Sequence, residues 1–269
     1  MTAVFRHRDG VLSLDRTAVM GILNVTPDSF SDGGQYNTVD AAVDKALAME
    51  RDGAAIIDIG AQSTRPGHVP VSADEEWARL QPVLDALRGK LTVPISVDTY
   101  DPAVAAKAVK HGAAILNDVS GSLSNGMMPL AAEYGAGLVM MAQGAANIDD
   151  IRQYFETALT MAGASGLAPS QVCLDIGVGF HQSRDVDAAA VKHLPRILEG
   201  LPQTAVLCGA SRKRLISHLT GDCPVDERLG GTLAVQLFAR MGGARVWRVH
   251  DVKEAVQAAA VIDALLPEE

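Results

Sequence analysis

Eight short apolar runs alternate with amphipathic segments along the chain. Most runs are continuous in Val, Ile and Leu, which is typical of strands buried on both faces of a parallel sheet. The predicted strands cover residues 19–25, 55–60, 94–99, 115–119, 137–142, 172–177, 205–210 and 245–250. The predicted helices cover residues 39–51, 74–87, 102–111, 127–134, 148–162, 186–198, 226–241 and 252–265.

Strand and helix alternating in this way predict an α/β fold, a single-domain (β/α)8 TIM barrel over residues 1–269. An open doubly wound sheet remains the alternative, because periodicity alone does not show that a sheet closes. Near the amino terminus, Asp9-Gly10 stands between apolar pairs. This pattern predicts a short hairpin that plugs the floor of the barrel.

Polar residues stand where the predicted strands end. The carboxyl ends of barrel strands meet at one rim, and the active sites of such enzymes lie there. Capping of the following helix is an alternative role for Asp118. The polar residues at or just after strand ends are Asn24, Asp98, Thr99, Asn117, Asp118, Asp175, Ser211, Arg212, Lys213, Arg248 and His250.

The rim divides by charge into two parts. Asp98, Asn117 and Asp175 offer hydrogen-bond acceptors that suit a planar ligand with a guanidine-like edge. The cationic side is predicted to bind phosphate, with Lys213 between the two parts. It consists of Arg65, Lys213, Arg248 and His250. The sequence therefore predicts a ligand with a hydrogen-bonding ring at one end and phosphate at the other.

Two polar, glycine-containing segments follow the first and second predicted strands, at residues 26–34 and 63–67. Connections of this kind on the catalytic rim are predicted to act as mobile lids. The alternative is a pair of ordinary surface turns.

Composition excludes several classes of protein. A net charge of −9 and a pI near 5.2 argue against a nucleic-acid partner. No apolar run reaches the ~18 residues of a membrane span, and the first residues do not form a signal peptide. Cys173, Cys208 and Cys223 show no metal-binding spacing. We interpret them as reduced thiols of a cytoplasmic protein.

Six motifs resemble, in order, those of the dihydropteroate synthase family. The first is long and specific, GILNVTPDSFSDGG at residues 21–34. The others are STRPG at 63–67, SVDT at 96–99, LNDVSG at 116–121, SRK at 211–213 and RVHD at 248–251. The resemblance runs from about residue 19 to about residue 260.

The resemblance implies a role for each matching residue. Asn24 would bind Mg²⁺, which would hold the diphosphate of the substrate. Asp98, Asn117, Asp175 and Lys213 would bind the pterin ring. Thr64, Arg248, Val249 and His250 would hold the diphosphate end, with Arg65. Ser211, Phe180 and Pro66 would border the p-aminobenzoate site, and Phe30 and Asp32 would fold in from the first loop. The catalytic residues would be Lys213, Arg248, Asp32 and Arg65.

The implied reaction is attack of the aniline nitrogen of p-aminobenzoate on the pterin methylene carbon, with departure of diphosphate. It would need no protein nucleophile, and catalysis would come from electrostatics and positioning. The family also implies a homodimer formed through the later helices and a target of sulfonamides. The chain departs from the family pattern at three places along the sequence. Met141-Ala142 stand where a His is usual, Ile176 replaces Pro, and Arg214 replaces Ser.

Two rival functions share parts of this pattern. A barrel that transfers a methyl group from a folate to a corrinoid would use the Asp and Asn positions but needs no diphosphate site. A pterin-binding paralogue without synthase activity would keep the binding residues and lack turnover. Saturable binding of a pterin diphosphate without product would identify the second rival.

Overall fold

The computed structural model describes residues 3–26, 35–62 and 71–266. Within these ranges, eight parallel strands close into a barrel. The strands are β3 Ala18–Asn24, β4 Ile56–Gly60, β5 Ile95–Asp98, β6 Ala113–Asp118, β7 Gly137–Met141, β8 Val172–Asp175, β9 Ala205–Cys208 and β10 Val246–Val249. Their order around the barrel is β10-β3-β4-β5-β6-β7-β8-β9. Because β10 pairs with both β9 and β3, the predicted barrel is confirmed and the open sheet is wrong.

The predicted hairpin at the amino terminus is confirmed. It consists of β1 Val4–His7 and β2 Gly10–Ser13. Phe5 is fully buried among the barrel-interior residues, which include Val139 and Cys173. A Cβ at Gly137 would lie 2.8 Å from the Phe5 ring, so glycine permits this close approach. The hairpin thus closes the floor of the barrel.

Helices surround the barrel and bury its outer face. They are α1 Gln35–Arg51, α2 Ala73–Leu87, α3 Pro102–Lys110, α4 Met127–Tyr134, α5 Ile148–Ala164, α6 Arg184–Lys192, α7 Leu194–Leu198, α8 Arg214–Thr220, α9 Leu229–Met241 and α10 Val252–Leu265. The helix predicted over 186–198 is divided, since Pro195 lies in the first turn of α7 and has no N–H to continue α6. Helix α8 was not predicted.

Side chains alternate between the inside of the barrel and the helices. On β10, Val246 packs inside the barrel, whereas Trp247 and Val249 pack against the surrounding helices. On β6, Ile115 packs inside and Leu116 outside. This period of two places Asn117 and Arg248 inside the barrel, near its carboxyl-terminal mouth.

Candidate active site

Neighbouring strands bring polar residues to one level at the mouth of the barrel. The register pairs Asn24 with Gly60, Gly60 with Asp98, and Asp98 with Asn117. Asp175 is the last residue of β8, across the barrel. The carboxyl ends of the strands therefore converge as the sequence predicted.

Arg248 joins two carboxylates. Its Nε donates to Asp58 Oδ2 at 2.6 Å, and a terminal nitrogen donates to Asp98 Oδ2, also at 2.6 Å. Burial alone would lower the pKa of Arg248, but the two carboxylates raise it above its usual value. Burial raises the pKa of Asp98 to about 7, although the charge of Arg248 opposes this shift. The pair is a partly buried ion pair at the entrance to the site.

Asn117 lies beside this pair and is 1% exposed. Its amide nitrogen donates to Asp58 Oδ2 at 3.1 Å. Its amide oxygen is buried and has no hydrogen-bond partner among the residues that the structure describes. A buried acceptor of this kind is costly unless a ligand or water donates to it.

Asp175 and Lys213 form the other side of the mouth. Asp175 Oδ1 accepts the Gly177 N–H at 2.9 Å, and burial raises the pKa of this carboxyl while the charge of Lys213 opposes the shift. The Lys213 ammonium donates to the Val178 carbonyl and lies 4.5 Å from the centre of the Phe180 ring. Burial lowers the pKa of Lys213 to about 8, with Asp175 opposing the shift.

Ser211 and His250 form a third group on the rim. The Ser211 hydroxyl lies 2.9 Å from His250 Nδ1 and accepts the His250 backbone N–H at 3.1 Å. Burial lowers the pKa of His250 to about 4, and the charge of Arg248 adds to this effect. The ring is therefore neutral near pH 7. The ligand-free ring is therefore a hydrogen-bonding group, and the binding of phosphate by His250 stays a prediction.

The chain turns sharply between Ser211 and Lys213. Arg212 has φ 57°, the one positive value among non-glycine residues in the described ranges. Its N–H donates to Thr232 Oγ1 at 3.0 Å, and its guanidinium pairs with Asp251. These contacts stabilise an uncommon backbone conformation that directs the flanking residues to the rim.

Asp118 has a structural role. Its side chain accepts the Ser120 N–H at 2.9 Å and the Asn125 amide at 2.7 Å. Asn125 in turn accepts the Met127 N–H in the first turn of α4 at 3.2 Å. Asp118 therefore holds the loop before α4 through Asn125, and the N-cap residue of that helix is Gly126.

The other expected site residues divide into two sets. Val249 is 1% exposed, and its side chain packs in the cluster between the barrel and the helices, so only its backbone could reach a ligand. The residues expected from the two loops lie outside the described residues. They are Phe30, Asp32, Thr64, Arg65 and Pro66.

Sequence reasoning missed Asp58, which lies in the middle of β4 and is fully buried. Asp58 stands in the interior of the predicted strand and not at its end. The signal was a single charged residue inside the apolar run Ile56-Ile57-Asp58-Ile59. A buried carboxylate needs partners, and those partners turn out to be Arg248, Asn117 and Ser96.

Two of the departures from the family pattern lie next to the mouth of the barrel. Ile176 donates its N–H to the Leu207 carbonyl at 3.2 Å, a bond that proline could not make. On β7, Val139 faces the barrel interior, so alternation turns Met141 inward as well. Neither change removes a hydrogen-bonding group from Asp98, Asn117 or Asp175.

The described residues include no group of three or more His, Cys, Asp or Glu side chains arranged to hold a metal ion. One amide oxygen is nevertheless well placed. A Cβ at Gly60 would lie 3.7 Å from both Asn24 Oδ1 and Asp98 Oδ2, so the missing side chain leaves space between them. Mg²⁺ commonly takes only one or two protein oxygens and completes its shell with water and substrate phosphates. Asn24 fits such a site.

The free thiols Cys173 and Cys208 are buried, and Cys223 is half-buried. Burial raises the pKa of the Cys208 thiol to about 12, which makes it a poor nucleophile.

Among the helices of the described ranges, none has the length and apolar character needed to cross a bilayer.

The pterin-binding enzyme family matches residues 20–250. The dihydropteroate synthase of Bacillus subtilis is 41% identical over 272 residues, covering 98% of this chain and 94% of its own. That of Escherichia coli is 40% identical over 268 residues, covering 95% and 94%. Relatives of this class are thus similar along nearly their whole length.

Solved structures agree with the sequence comparisons. Xanthomonas albilineans dihydropteroate synthase with 4-aminobenzoic acid superposes with a TM-score of 0.92 at 36% identity, covering 99% of this chain and all of that one. The complex of that enzyme with 7,8-dihydropteroate gives 0.86 at 36% identity, covering 96% and 97%. The Yersinia pestis synthase with a sulfonamide drug gives 0.88 at 36% identity, covering 97% and 98%. The barrel is of the pterin-binding class, and the chain belongs to the dihydropteroate synthase family.

Proposed function

We propose that this barrel joins 6-hydroxymethyl-7,8-dihydropterin diphosphate to p-aminobenzoate, giving 7,8-dihydropteroate and diphosphate. This is a transferase reaction of folate synthesis. Relatives similar over nearly the whole chain are dihydropteroate synthases, and similar solved structures hold 4-aminobenzoic acid or 7,8-dihydropteroate.

The observation that carries the proposal is the set of acceptors inside the mouth. The oxygen of Asn117 is buried and has no hydrogen-bond partner among the described residues, and Asp98 and Asp175 are the last residues of β5 and β8. The N–H groups of a pterin ring would donate to them, and a carboxylate can accept two parallel N–H bonds. Lys213 would donate to the ring from the same side as Asp175.

The diphosphate would lie on the cationic part of the rim. Arg248 supplies a fixed positive charge, and neutral His250, held by Ser211, would donate a ring N–H. Phosphate nearby would favour protonation of His250. The loop residues Thr64 and Arg65, together with the backbone of Val249, complete the proposed set.

Mg²⁺ would be held by the Asn24 amide oxygen together with the diphosphate. When bound, it would neutralise charge that develops on the departing group.

The p-aminobenzoate would bind beside the pterin methylene group. Phe180 follows β8 and Ser211 follows β9 at the mouth of the barrel, and the two side chains would form the inner wall of the p-aminobenzoate site. The centre of the Phe180 ring lies 4.5 Å from the Lys213 ammonium. Pro66, Phe30 and Asp32 would close the outer wall from the two loops. A sulfonamide resembles p-aminobenzoate in shape, so we expect sulfonamides to compete for this pocket.

The reaction forms a bond between the aniline nitrogen and the methylene carbon and breaks the bond from that carbon to the diphosphate oxygen. The nitrogen loses one proton, which passes to the departing diphosphate or to water. Positive charge builds on the pterin methylene group as diphosphate departs, and the carboxylates of Asp98 and Asp175 stabilise it. Lys213, Arg248, Arg65 and Asp32 are the proposed catalytic residues, because they set the charge around the two separating groups.

A product assay tests the proposal. Purified protein, Mg²⁺, the pterin diphosphate and p-aminobenzoate are mixed, and dihydropteroate and diphosphate are measured. We expect both products in equal amounts and loss of turnover when a chelator removes Mg²⁺. Saturable pterin binding with no product would instead identify the paralogue without synthase activity. Methyl transfer from a folate to a corrinoid would identify the other rival.

We also propose a homodimer, formed through helices α9 and α10. Large apolar side chains on these packed helices are exposed: Phe238 51%, Met241 64%, Val261 55% and Leu265 76%. Apolar side chains grouped in this way mark association surfaces. Sedimentation of the parent and of Met241→Glu tests this assignment, and we expect a dimer and a weakened dimer respectively.

The free thiols of Cys173, Cys208 and Cys223 support placing the protein in the reducing cytoplasm.

A further inference from the structure

Asp58 connects the interior of the barrel to the site without being part of the ligand-facing surface. It lies on β4 between Ile57 and Ile59, and its exposed fraction is 0%. The register pairs it with Ser96 on β5, one inward-facing position below the pair of Gly60 and Asp98. Asp58 thus lies beneath the residues that line the mouth.

Three side chains from three other strands converge on this carboxylate. Oδ1 accepts the Ser96 hydroxyl at 2.7 Å. Oδ2 accepts the Asn117 amide at 3.1 Å and Arg248 Nε at 2.6 Å. A carboxylate stripped of water is costly unless donors surround it, and here β5, β6 and β10 supply the donors.

The first consequence concerns Asn117. Its amide has a donor end and an acceptor end of nearly the same shape, so its neighbours decide which end faces which way. A carboxylate is only an acceptor, so the NH₂ group must face Asp58. The oxygen must then face away from Asp58, where it has no hydrogen-bond partner in the described part of the chain. Asp58 therefore makes Asn117 an acceptor toward the ligand.

The second consequence concerns Arg248. Its guanidinium is held by Asp58 at Nε and by Asp98 at a terminal nitrogen. A ligand that occupies Asp98 would compete for the second contact but could not reach the buried first one. Arg248 would remain aimed across the mouth while Asp98 changes partner.

We propose that Asp58 is a positioning residue, which fixes the amide of Asn117 as a ligand acceptor and anchors Arg248 through its Nε. The proposal rests on the proposed function, in which those two residues bind the pterin and the diphosphate. Asp58 itself makes no contact with either substrate.

A double-mutant cycle tests the coupling. Binding of a pterin without diphosphate is measured by calorimetry for the parent, Asp58→Asn, Asn117→Ala and the double variant. When Asn117 is present, we expect Asp58→Asn to weaken pterin binding at least about tenfold relative to the parent. When Asn117 is replaced by Ala, the same substitution should weaken pterin binding less than about twofold relative to Asn117→Ala alone. Equal effects in both backgrounds would overturn the proposal, because Asp58 would then act independently of Asn117.

Ser96→Ala is the matched control. It removes the third donor to Asp58 and leaves the contacts to Asn117 and Arg248, so pterin affinity should change by less than about threefold. An equally large loss in Ser96→Ala would show that any disturbance of the buried group weakens binding, and would overturn the specific role of Asp58.

Thermal melting first shows whether Asp58→Asn folds. If it does not, Asn117→Asp in the parent makes the same test, because it places two carboxylates face to face while keeping an oxygen toward the ligand. We expect at least about tenfold weaker pterin binding in this variant. Parental affinity would overturn the proposal. The parent protein distinguishes failure of the proposed function from failure of the proposed role of Asp58. If the parent binds no pterin, the proposed function fails. If the parent is active and the effects of the two substitutions are additive, only the role of Asp58 fails.

Discussion

Replacing Asp175 by Asn separates binding of the ring from stability of the fold. The substitution preserves shape, and an amide oxygen can still accept the Gly177 N–H that Asp175 Oδ1 now accepts at 2.9 Å. The turn after β8 should therefore remain intact. The other end of the side chain changes from an acceptor to a donor. A pterin N–H would then meet an NH₂ group in place of a carboxylate oxygen.

The expected magnitude follows from this exchange. A buried donor that loses its partner costs about 1–3 kcal/mol, which weakens binding by about 5- to 150-fold. The free energy of unfolding of Asp175→Asn should instead rise or stay constant. Burial raises the pKa of Asp175, so folding penalises its charged form once the pH exceeds the ordinary value of 3.8. A neutral amide removes that penalty.

Calorimetry with the pterin diphosphate and chemical denaturation near pH 7 measure the two quantities. Asp118→Asn is a matched control, because Asp118 is also a buried carboxyl at a strand end but holds the loop residues Ser120 and Asn125. That variant should keep pterin affinity within about threefold. If Asp175→Asn binds and turns over the pterin substrate like the parent, our placement of the ring is wrong.

Three further predictions concern charge and order of binding. Lys213→Ala and Arg248→Ala should each lower kcat/KM by at least about tenfold. Replacing Lys90 or Lys192, which are exposed on the outer surface, by Ala should have little effect on kcat/KM. Equal, small losses in all four variants would refute phosphate binding by the rim cations. Calorimetry should show p-aminobenzoate binding clearly only when a pterin, diphosphate and Mg²⁺ are present, a coupling of about 1–3 kcal/mol; equal affinity without them would show a preformed pocket. Burial raises the pKa of Asp98 from 3.8 to about 7 in the folded protein, so the penalty on its charge grows between those pH values and is complete above them. The unfolding free energy of Asp98→Asn relative to the parent should therefore rise from pH 4 to pH 7, and a fall over that range would show that the ion pair with Arg248 outweighs burial.

The hydrophobic pattern determined the α/β class and the order of the elements, whereas closure of the barrel was decided by the pairing of β10 with β3 and β9. Continuous apolar runs such as 137–142 are typical of a parallel sheet covered by helices, and their alternation with amphipathic segments leaves few topologies. Local rules also located the hairpin and most helix positions. They joined α6 and α7 into one helix, although the proline at position 195 was visible, because an amphipathic pattern can continue across a break.

The sequence also determined which residues gather at the mouth, since the carboxyl ends of parallel strands must converge. It could not assign their partners. The neutral state of His250 depends on burial and on Arg248, and the loop role of Asp118 depends on Asn125. Contacts and desolvation of this kind arise only when distant segments pack together.

Asp58 shows most clearly what tertiary structure added. In the sequence it is one acidic residue in an apolar strand, separated from Arg248 by 190 positions. Only closure of the barrel places β10 beside β3 and brings Arg248 and Asn117 to the same carboxylate. Periodicity reports which face a side chain occupies, whereas the hydrogen-bond partners of a buried charge are decided by the three-dimensional meeting of strands.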